Sequence, residues 1–453
     1  MPAVSEIKFK QIARTIESRI RDGVYPPNTK LPPHRVLAEE LQTTPVTVAK
    51  AYKLLSEQNQ VESFVGRGTF VCGESRLSSV IQSSDDEDVY NFSILQPCLS
   101  HHLPALQNAI RQSASQLTSQ LIGYAENSGH ERHRQTGIRW ASEYGLEPGT
   151  THNTLLTSGA QNALAVLVES LTKPGDTIAV ETLTYPGILA IASLKRRHVV
   201  GVQMDEHGMI PEHLQQSIEQ HHPKLVITVP SHQNPTGITM PEERRIQIAD
   251  IIRQHHIWLV EDDIYGFLNE KPIPAICNWL PEQGFHVTSL SKAICPALRC
   301  GFIKAPSSQV ATVSAHIRTD IWLSSPLNFI IAEELIHSGQ AFELAERQRL
   351  LAAERQAIAK QYLPETTTPG QGYHLWLPLP SGWQQERFAM EAQNHRILVS
   401  SGSYFDTQQS CNHIRLSLTA IHSGKKFREG MEKLNQLLHA DPATVLSYQT
   451  NPF

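Results

Sequence analysis

The sequence has few cysteines, and they are not spaced for zinc binding or dithiol chemistry. Its 453 residues include six cysteines, and none forms a Cys-x-x-Cys pair. That spacing is typical of zinc sites and of thioredoxin-like motifs. The 22 histidines include three adjacent pairs, but no pair has cysteines or carboxylates at ligand spacing. We therefore expect a reduced chain without a metal site.

Long apolar runs and a large net charge are also missing. No apolar run approaches the ~18 residues that a membrane helix needs, and the N-terminus is polar rather than signal-like. A net charge of −5 argues against a chain that coats nucleic acid along its whole length. Residues 1–75 carry ten Lys/Arg and eight Asp/Glu, which permits a DNA-binding end without proving one. We expect a cytoplasmic protein of two or more domains that does not contact a membrane.

The first 75 residues contain three helical patterns. Apolar side chains recur at helical spacing from Phe9 to Ile20. A short helix is predicted from Arg35 to Leu41. A third helix is predicted to begin at Thr44-Pro45, because threonine suits the N-cap and proline the first helical position. Its outer side carries Thr47 and two lysines.

A hairpin pattern follows these helices. Strand-like runs at 61–65 and 69–71 flank a basic tip, Gly66-Arg67-Gly68. Three helices and a hairpin predict a winged helix-turn-helix. Its third helix would enter the major groove, and Arg67 would reach the minor groove or the phosphates. The alternative is a helical cap domain for protein interactions, with solvated lysines.

This segment resembles the DNA-binding domain of the GntR superfamily. The resemblance is carried by three runs: Leu31-Pro32-Pro33-His34-Arg35-Val36-Leu37-Ala38, Thr47-Val48-Ala49-Lys50-Ala51-Tyr52-Lys53-Leu54-Leu55 and Gly66-Arg67-Gly68-Thr69-Phe70-Val71. It implies that double-stranded DNA is contacted by Arg35, Thr47, Gly66 and Arg67. The family usually has arginine where this chain has Pro45, so the resemblance does not supply the operator sequence.

The remaining residues read as a linker and a large α/β domain. Residues 76–90 are rich in serine and end in an acidic run, as in a solvated linker. In residues 91–453, apolar runs alternate with helical segments, which is typical of a sheet with parallel strands. These runs are Ile178–Val180, Leu225–Val229, Ile257–Val260 and Phe285–Thr288.

Polar side chains follow several of these runs. In chain order they are Asn234, Asp262, Tyr265, Ser289, Lys292 and Arg299. Because the carboxyl ends of parallel strands meet at one edge of a sheet, we expect one pocket there. A lysine in that pocket could form an imine with a bound aldehyde, and an arginine could hold a phosphate. The small-residue turn 157–161 opens a helix and would offer free N–H groups to an anion.

The assembled order resembles the fold-type I aminotransferases, which use pyridoxal 5′-phosphate. The residues that carry it are Gly159-Ala160-Gln161, Tyr185, Asn234, Asp262, Tyr265, Ser289, Lys292, Arg299 and Arg415. The implied fold has a large domain with a mixed, mostly parallel sheet and a small α+β C-terminal subdomain. With the N-terminal segment, the whole chain is similar to the GntR/MocR regulators, in which both domains occur in this order.

The resemblance also implies a role for each residue. Lys292 would form the imine with the cofactor, Asp262 would pair with its pyridine nitrogen, and Arg415 would grip a substrate carboxylate. The ring hydroxyl would be bonded by Asn234 and Tyr265, and the ring face covered by Tyr185. The phosphate would be held by Ser289, Arg299 and the backbone at Ala160 and Gln161, where relatives often have serine at position 160. A neighbouring subunit's phosphate would be reached by Tyr124, which implies a homodimer.

Three functions remain open on the sequence alone. The first is a regulator that senses an amino acid or amine through Schiff-base exchange at Lys292. The second is a working aminotransferase that carries a DNA-binding appendage. The third is a regulator that senses pyridoxal phosphate itself.

Overall fold

The chain is described from a computed structural model that covers residues 4–21, 24–25, 29–57, 60–64, 68–71, 88–124, 129–364, 371–408 and 411–441. Contacts divide the chain into two units, Met1–Ser79 and Val80–Phe453, which are described separately. Within the covered ranges, no helix is long and apolar enough to cross a membrane.

In its described residues, the smaller unit contains three helices and an antiparallel hairpin. They are α1 (Val4–Arg21), α2 (His34–Glu40), α3 (Pro45–Glu57), β1 (Val61–Phe64) and β2 (Gly68–Val71). The Thr47 N–H at the start of α3 donates to the Thr44 hydroxyl at 3.3 Å, as expected of an N-cap. The apolar side of α3 is at most 2% exposed at Val48, Ala51, Tyr52 and Leu55. In the hairpin Val61 lies opposite Val71. The predicted contacts Gly66 and Arg67 lie outside the described residues.

The larger unit alternates helices and strands. Its helices are α4 (Leu103–Ala114), α5 (Ser119–Ile122), α6 (Glu131–Glu143), α7 (Ala160–Leu171), α8 (Pro186–Leu194), α9 (Pro211–His221), α10 (Glu242–His255), α11 (Val310–Ile321), α12 (Pro326–His337), α13 (Gln340–Tyr362), α14 (Gln385–Asn394) and α15 (Gly424–Leu438). Its strands are β3 (Tyr90–Asn91), β4 (Thr154–Thr157), β5 (Thr177–Glu181), β6 (His198–Val202), β7 (Met204–Asp205), β8 (Gly208–Met209), β9 (Leu225–Thr228), β10 (Trp258–Asp262), β11 (Gly284–Ser289), β12 (Gly301–Lys304), β13 (His374–Pro378), β14 (Ile397–Leu398), β15 (Ser400–Ser401) and β16 (His413–Ser417).

A seven-stranded sheet forms the centre of this unit. Its strand order is β4-β12-β11-β10-β9-β5-β6. Pairing is parallel from β11 through β10, β9 and β5 to β6, and β12 is antiparallel to both of its neighbours. The predicted mixed, mostly parallel sheet is therefore confirmed.

The sheet is buried on both faces. Ile178 and Val180 of β5 pack in a core with α7 and α11, whereas the intervening Ala179 packs in a second core with α9 and α10. This alternation follows from the two-residue period of a strand. Strands covered on both faces need near-continuous apolar runs, which is why those runs were visible in the sequence.

A smaller sheet lies in the C-terminal part of the larger unit. Its order is β13-β16-β15, all antiparallel, and β14 pairs separately with β3. A third core packs α14 and α15 against it. The expected C-terminal α+β subdomain is therefore present, with β3 bringing the chain from residue 90 to its edge.

Candidate functional site

The sheet places several predicted site residues at its carboxyl edge. Asp262 is the last residue of β10, and Ser289 is the last of β11. Asn234 follows β9. Tyr185 lies between β5 and α8, directly before the first residue of that helix. These four strands are parallel neighbours, so their ends lie side by side.

Lys292 lies three residues beyond β11 and is half-buried. Its Nζ donates to the Leu95 carbonyl oxygen at 2.6 Å. Burial lowers the pKa of Lys292 to about 8, and the nearby charges of Arg415 and Arg299 add to this, while Asp262 opposes it. With that pKa, roughly a tenth of the amine is neutral at pH 7, far more than for an ordinary lysine. The residue is therefore suited to act as a nucleophile.

Asp262 is a buried carboxylate with an unused acceptor. It is 2% exposed, and in the described part of the chain its Oδ1 has no hydrogen-bond partner. Burial, helped by the charges of Asp263 and Glu181 and opposed by that of Lys292, raises its pKa to about 7. A buried anion of this kind is stabilised by a cation that donates to it. The pyridine nitrogen of pyridoxal phosphate, when protonated, is such a donor, so the site fits the cofactor here.

Arg415 joins the small sheet to this edge. Its Nη1 donates to Asn234 Oδ1 at 3.1 Å, and its Nη2 donates to Ser400 Oγ at 3.1 Å and to the Ser93 carbonyl. The guanidinium also lies 4.8 Å from the Phe405 ring centre. It is 2% exposed, and burial lowers its pKa to about 10. Its partners in the described ranges are neutral oxygens, so a cation is held here without a counter-charge.

The two predicted tyrosines lie near these charges. Burial, helped by the Asp262 charge and opposed by those of Arg415 and Arg299, raises the pKa of Tyr185 to about 12. Burial also raises the pKa of Tyr265, which Arg415 opposes. Both hydroxyls therefore stay protonated at neutral pH and can donate hydrogen bonds.

A separate group of residues was expected to hold the cofactor phosphate. Arg299 Nη2 donates to the Ser158 carbonyl at 3.0 Å. Gly159 has a φ of +85°, and a Cβ there would lie 2.6 Å from Arg299 Nη2, so the backbone approaches the guanidinium closely. Ala160 and Gln161 begin α7, and the Gln161 amide donates to the Gly187 carbonyl at 3.3 Å. A helix N-terminus beside an arginine suits a phosphate.

Tyr124 lies apart from these contacts. It is 87% exposed, and its ring centre is 5.8 Å from that of Trp322. Its predicted role toward a neighbouring subunit stays a prediction.

Two contributors were missed in the sequence. Leu95 acts through a backbone carbonyl, so no side-chain pattern marks it. Glu181 is a fully buried carboxylate at the end of β5, and burial raises its pKa to about 7. An acid that ends an apolar run was a visible signal, the same one that identified Asp262. No cluster of three or more His, Cys, Asp or Glu able to hold a metal ion occurs among the described residues.

In the smaller unit, the predicted DNA contacts that the structure describes lie on helices. Arg35 is exposed on α2. Thr47 is in the first turn of α3, with its hydroxyl 2.7 Å from that of Thr44. Lys50 and Lys53 are exposed further along α3.

Comparison with known families decides the identity. The family model "Aminotransferase class I and II" matches residues 87–434, and the model "Bacterial regulatory proteins, gntR family" matches residues 8–71. The chain belongs to the class I and II aminotransferase family and carries a GntR regulatory domain. This family is dependent on pyridoxal phosphate. The domain order is that of the GntR/MocR group, so the chain is a transcriptional regulator with an aminotransferase-like domain.

Full-length relatives share this arrangement. The chain is 28% identical over 435 residues to the uncharacterized HTH-type transcriptional regulator YdeF of Bacillus subtilis, covering 95% of this chain and 94% of that one. It is 24% identical to the vitamin B6 salvage pathway transcriptional repressor PtsJ of Salmonella typhimurium, covering 92% and 95%. Among solved structures, a multiple substrate aminotransferase from Thermococcus profundus gives a TM-score of 0.73 at 19% identity, covering 83% and 96%. That likeness confirms the fold.

Proposed function

We propose that this regulator senses an amino acid, or another amine with a carboxylate, through Schiff-base exchange at Lys292. The observation that carries the proposal is the buried Arg415, which lies with Lys292 and Asp262 at one edge of the sheet. Pyridoxal phosphate, when bound, supplies an aldehyde at which one amine can replace another. A ligand that satisfies both Lys292 and Arg415 has an amino group and a carboxylate.

Lys292 and Asp262 have complementary tasks in this proposal. Lys292 is partly neutral at pH 7, so its amine can be displaced by a ligand amine and can return later. Asp262 would hold a proton on the cofactor's ring nitrogen. The protonated hydroxyls of Tyr185 and Tyr265 would orient the ring.

Arg415 would recognise the carboxylate. Asn234, Ser400 and Ser93 orient its guanidinium before any ligand arrives. Holding a buried cation with neutral partners is unfavourable, and a carboxylate would supply the missing charge. The planar guanidinium can donate to both carboxylate oxygens. An amine without a carboxylate would leave the Arg415 guanidinium without a counter-charge.

The smaller unit would bind double-stranded DNA. Exposed Arg35 on α2 and the exposed lysines of α3, the expected recognition helix, would provide positive charge toward DNA, and the β1–β2 hairpin would act as the wing. The match of residues 8–71 to a GntR model supports this assignment.

We also propose that the chain acts as a homodimer in the cytoplasm. Large apolar side chains are exposed at 46% or more on and around the packed helices α4 and α12. They are Leu103, Ile110, Leu117, Ile122, Tyr124, Trp322 and Leu327. A patch of exposed apolar side chains is typical of a protein–protein interface. Because it includes Tyr124, it supports the expected contact with a neighbouring subunit.

A working aminotransferase is the second candidate. The same Lys292 and Asp262 that would serve a sensor would also serve turnover, and both have pKa values close to neutral. The two candidates share the exchange of amines and differ in whether the ligand is then converted to a product. Product formation therefore separates them.

The test compares DNA affinity and product formation in the same cofactor-loaded protein. A panel of amino acids and amines is mixed with wild type, and DNA affinity is followed by fluorescence anisotropy. A ligand that changes both the cofactor spectrum and the DNA affinity without multiple turnovers supports the sensor. Lys292→Ala should abolish the response, while exposed Lys271→Ala serves as the matched control. An unchanged response in Lys292→Ala would refute the proposal, and steady keto-acid production would favour the enzyme.

A further inference from the structure

A cysteine–histidine pair lies outside the roles assigned so far. Cys98 Sγ is 3.5 Å from His422 Nδ1 and 3.5 Å from Ser100 Oγ. Cys98 itself is 1% exposed, but His422 and Ser100 are exposed, so the sulfur lies directly beneath the surface.

A buried arginine adds positive charge to the pair. Arg355 is 3% exposed, and its Nε and Nη1 have no hydrogen-bond partner in the described ranges. Its Nη2 donates to the carbonyls of Ile421 and His422 at 3.3 Å, which places it behind the histidine. The charge of Arg355 acts directly on the Cys98 sulfur. The Tyr373 hydroxyl is a further titratable group close enough to interact with it.

These neighbours favour the thiolate. Burial raises the pKa of Cys98, but hydrogen bonds from His422 and Ser100 and the charge of Arg355 outweigh it, so the pKa lies below its usual value. The hydrogen bond to Cys98 likewise raises the pKa of His422. By contrast, burial raises the pKa of Cys300 and raises that of Cys411 to about 12. The lowered pKa gives Cys98 more thiolate than these two cysteines have at neutral pH, and the thiolate is the reactive form of cysteine.

Cys98 is also connected to the proposed cofactor site. Its N–H donates to Gln348 Oε1 at 3.0 Å, and Gln348 Nε2 donates to the Cys98 carbonyl at 3.2 Å. Tyr373 donates to the same Gln348 oxygen at 3.3 Å and to the Lys292 carbonyl at 2.8 Å. Three residues before Cys98, the Leu95 carbonyl accepts from Lys292 Nζ. A change at Cys98 therefore acts on the segment that contacts Lys292.

We propose that Cys98 is a peroxide-reactive cysteine, with His422 and Arg355 stabilising its thiolate, and that its oxidation disturbs the segment 93–98 beside Lys292. The thiolate sulfur attacks one oxygen of a hydroperoxide, an S–O bond forms and the O–O bond breaks. Sulfur is oxidised to sulfenic acid, and the peroxide is reduced to hydroxide or alkoxide. The leaving oxygen takes a proton from the His422 imidazolium. The added oxygen must be fitted into a packed site, so the segment must shift.

The first test measures thiolate reactivity in the full-length, cofactor-loaded protein. Iodoacetamide labelling of Cys98 is followed by mass spectrometry from pH 6 to 10 in wild type, His422→Asn and His439→Asn. At pH 7, His422→Asn should label several-fold more slowly, because losing the hydrogen bond from the histidine lowers the fraction of thiolate. The difference should vanish at pH 10, and exposed His439→Asn should match wild type. Equal rates at pH 7, or no labelling of folded wild type, would overturn the proposal.

The second test uses hydrogen peroxide. Dimedone should trap one sulfenic acid at Cys98, and the oxidised protein should lose about fivefold or more in affinity for pyridoxal phosphate. Cys98→Ala should show no peroxide effect. This arm rests on the proposed role of Lys292, whereas the labelling arm does not. Full oxidation with unchanged cofactor affinity would refute the link to Lys292.

Discussion

Replacing Asp262 by asparagine should stabilise the cofactor-free protein while weakening cofactor binding. The carboxylate is buried with an unpartnered oxygen, and its pKa is raised from 3.8 to about 7. In the absence of a cation, its ionisation therefore opposes folding. Asparagine has nearly the same shape and carries no charge, so it removes this opposition.

The size and pH dependence follow from proton linkage. The Asp262 carboxyl ionises near pH 4 in the unfolded chain and near pH 7 in the folded one. The free energy of unfolding of wild type therefore falls as pH rises through this window. Each pKa unit corresponds to about 1.4 kcal/mol, so the full effect is about 4 kcal/mol. The variant should therefore gain less than about 1 kcal/mol at pH 4 and up to about 4 kcal/mol at pH 8. With cofactor bound the gain at pH 8 should shrink by about 1.5–3 kcal/mol, because a hydrogen bond between charged groups contributes about that much.

The assay is urea unfolding of the cofactor-free full-length protein at several pH values, following the larger unit. Asp205→Asn is the control, for which the expected change in stability has the opposite sign. Hydrogen bonds from Arg244 lower the pKa of Asp205, so its loss should destabilise the protein by at most about 1 kcal/mol at pH 8. A gain for Asp262→Asn that does not grow with pH, or no gain at pH 8, would refute the reasoning.

Four further changes test other parts of the chain. Arg415→Lys should weaken binding of the amino-acid effector about tenfold or more, because an ammonium cannot donate in parallel to both carboxylate oxygens; calorimetry showing equal affinity would contradict this. Gly159→Ala should reduce affinity for pyridoxal phosphate, because its Cβ would lie 2.6 Å from Arg299 Nη2, and spectral titration measures the loss. Leu55→Ala should destabilise the smaller unit by about 2–5 kcal/mol and reduce DNA binding, while cofactor binding is retained. Arg35→Ala should weaken DNA binding and reduce the slope of log affinity against log salt by about 1; an unchanged slope would argue against a phosphate contact.

The elements of both units were largely predictable because their signals are local. The apolar side of α3 and its Thr44 cap are set by residues within one or two turns. The central strands read as apolar runs because both faces of the sheet are buried. Asp262 was recognisable as a polar residue that ends such a run.

Contacts between distant residues could not be predicted in this way. Arg415 reaches Asn234 across 181 positions, and Lys292 reaches the Leu95 carbonyl across 197. The sequence alone therefore determined which residue types end the strands and which helices and strands form, since these depend on neighbours in the chain. Only the tertiary structure decided that Arg415 lacks a counter-charge among the described residues and that Cys98 lies against His422. Burial and electrostatic environment depend on what the rest of the fold places around a side chain.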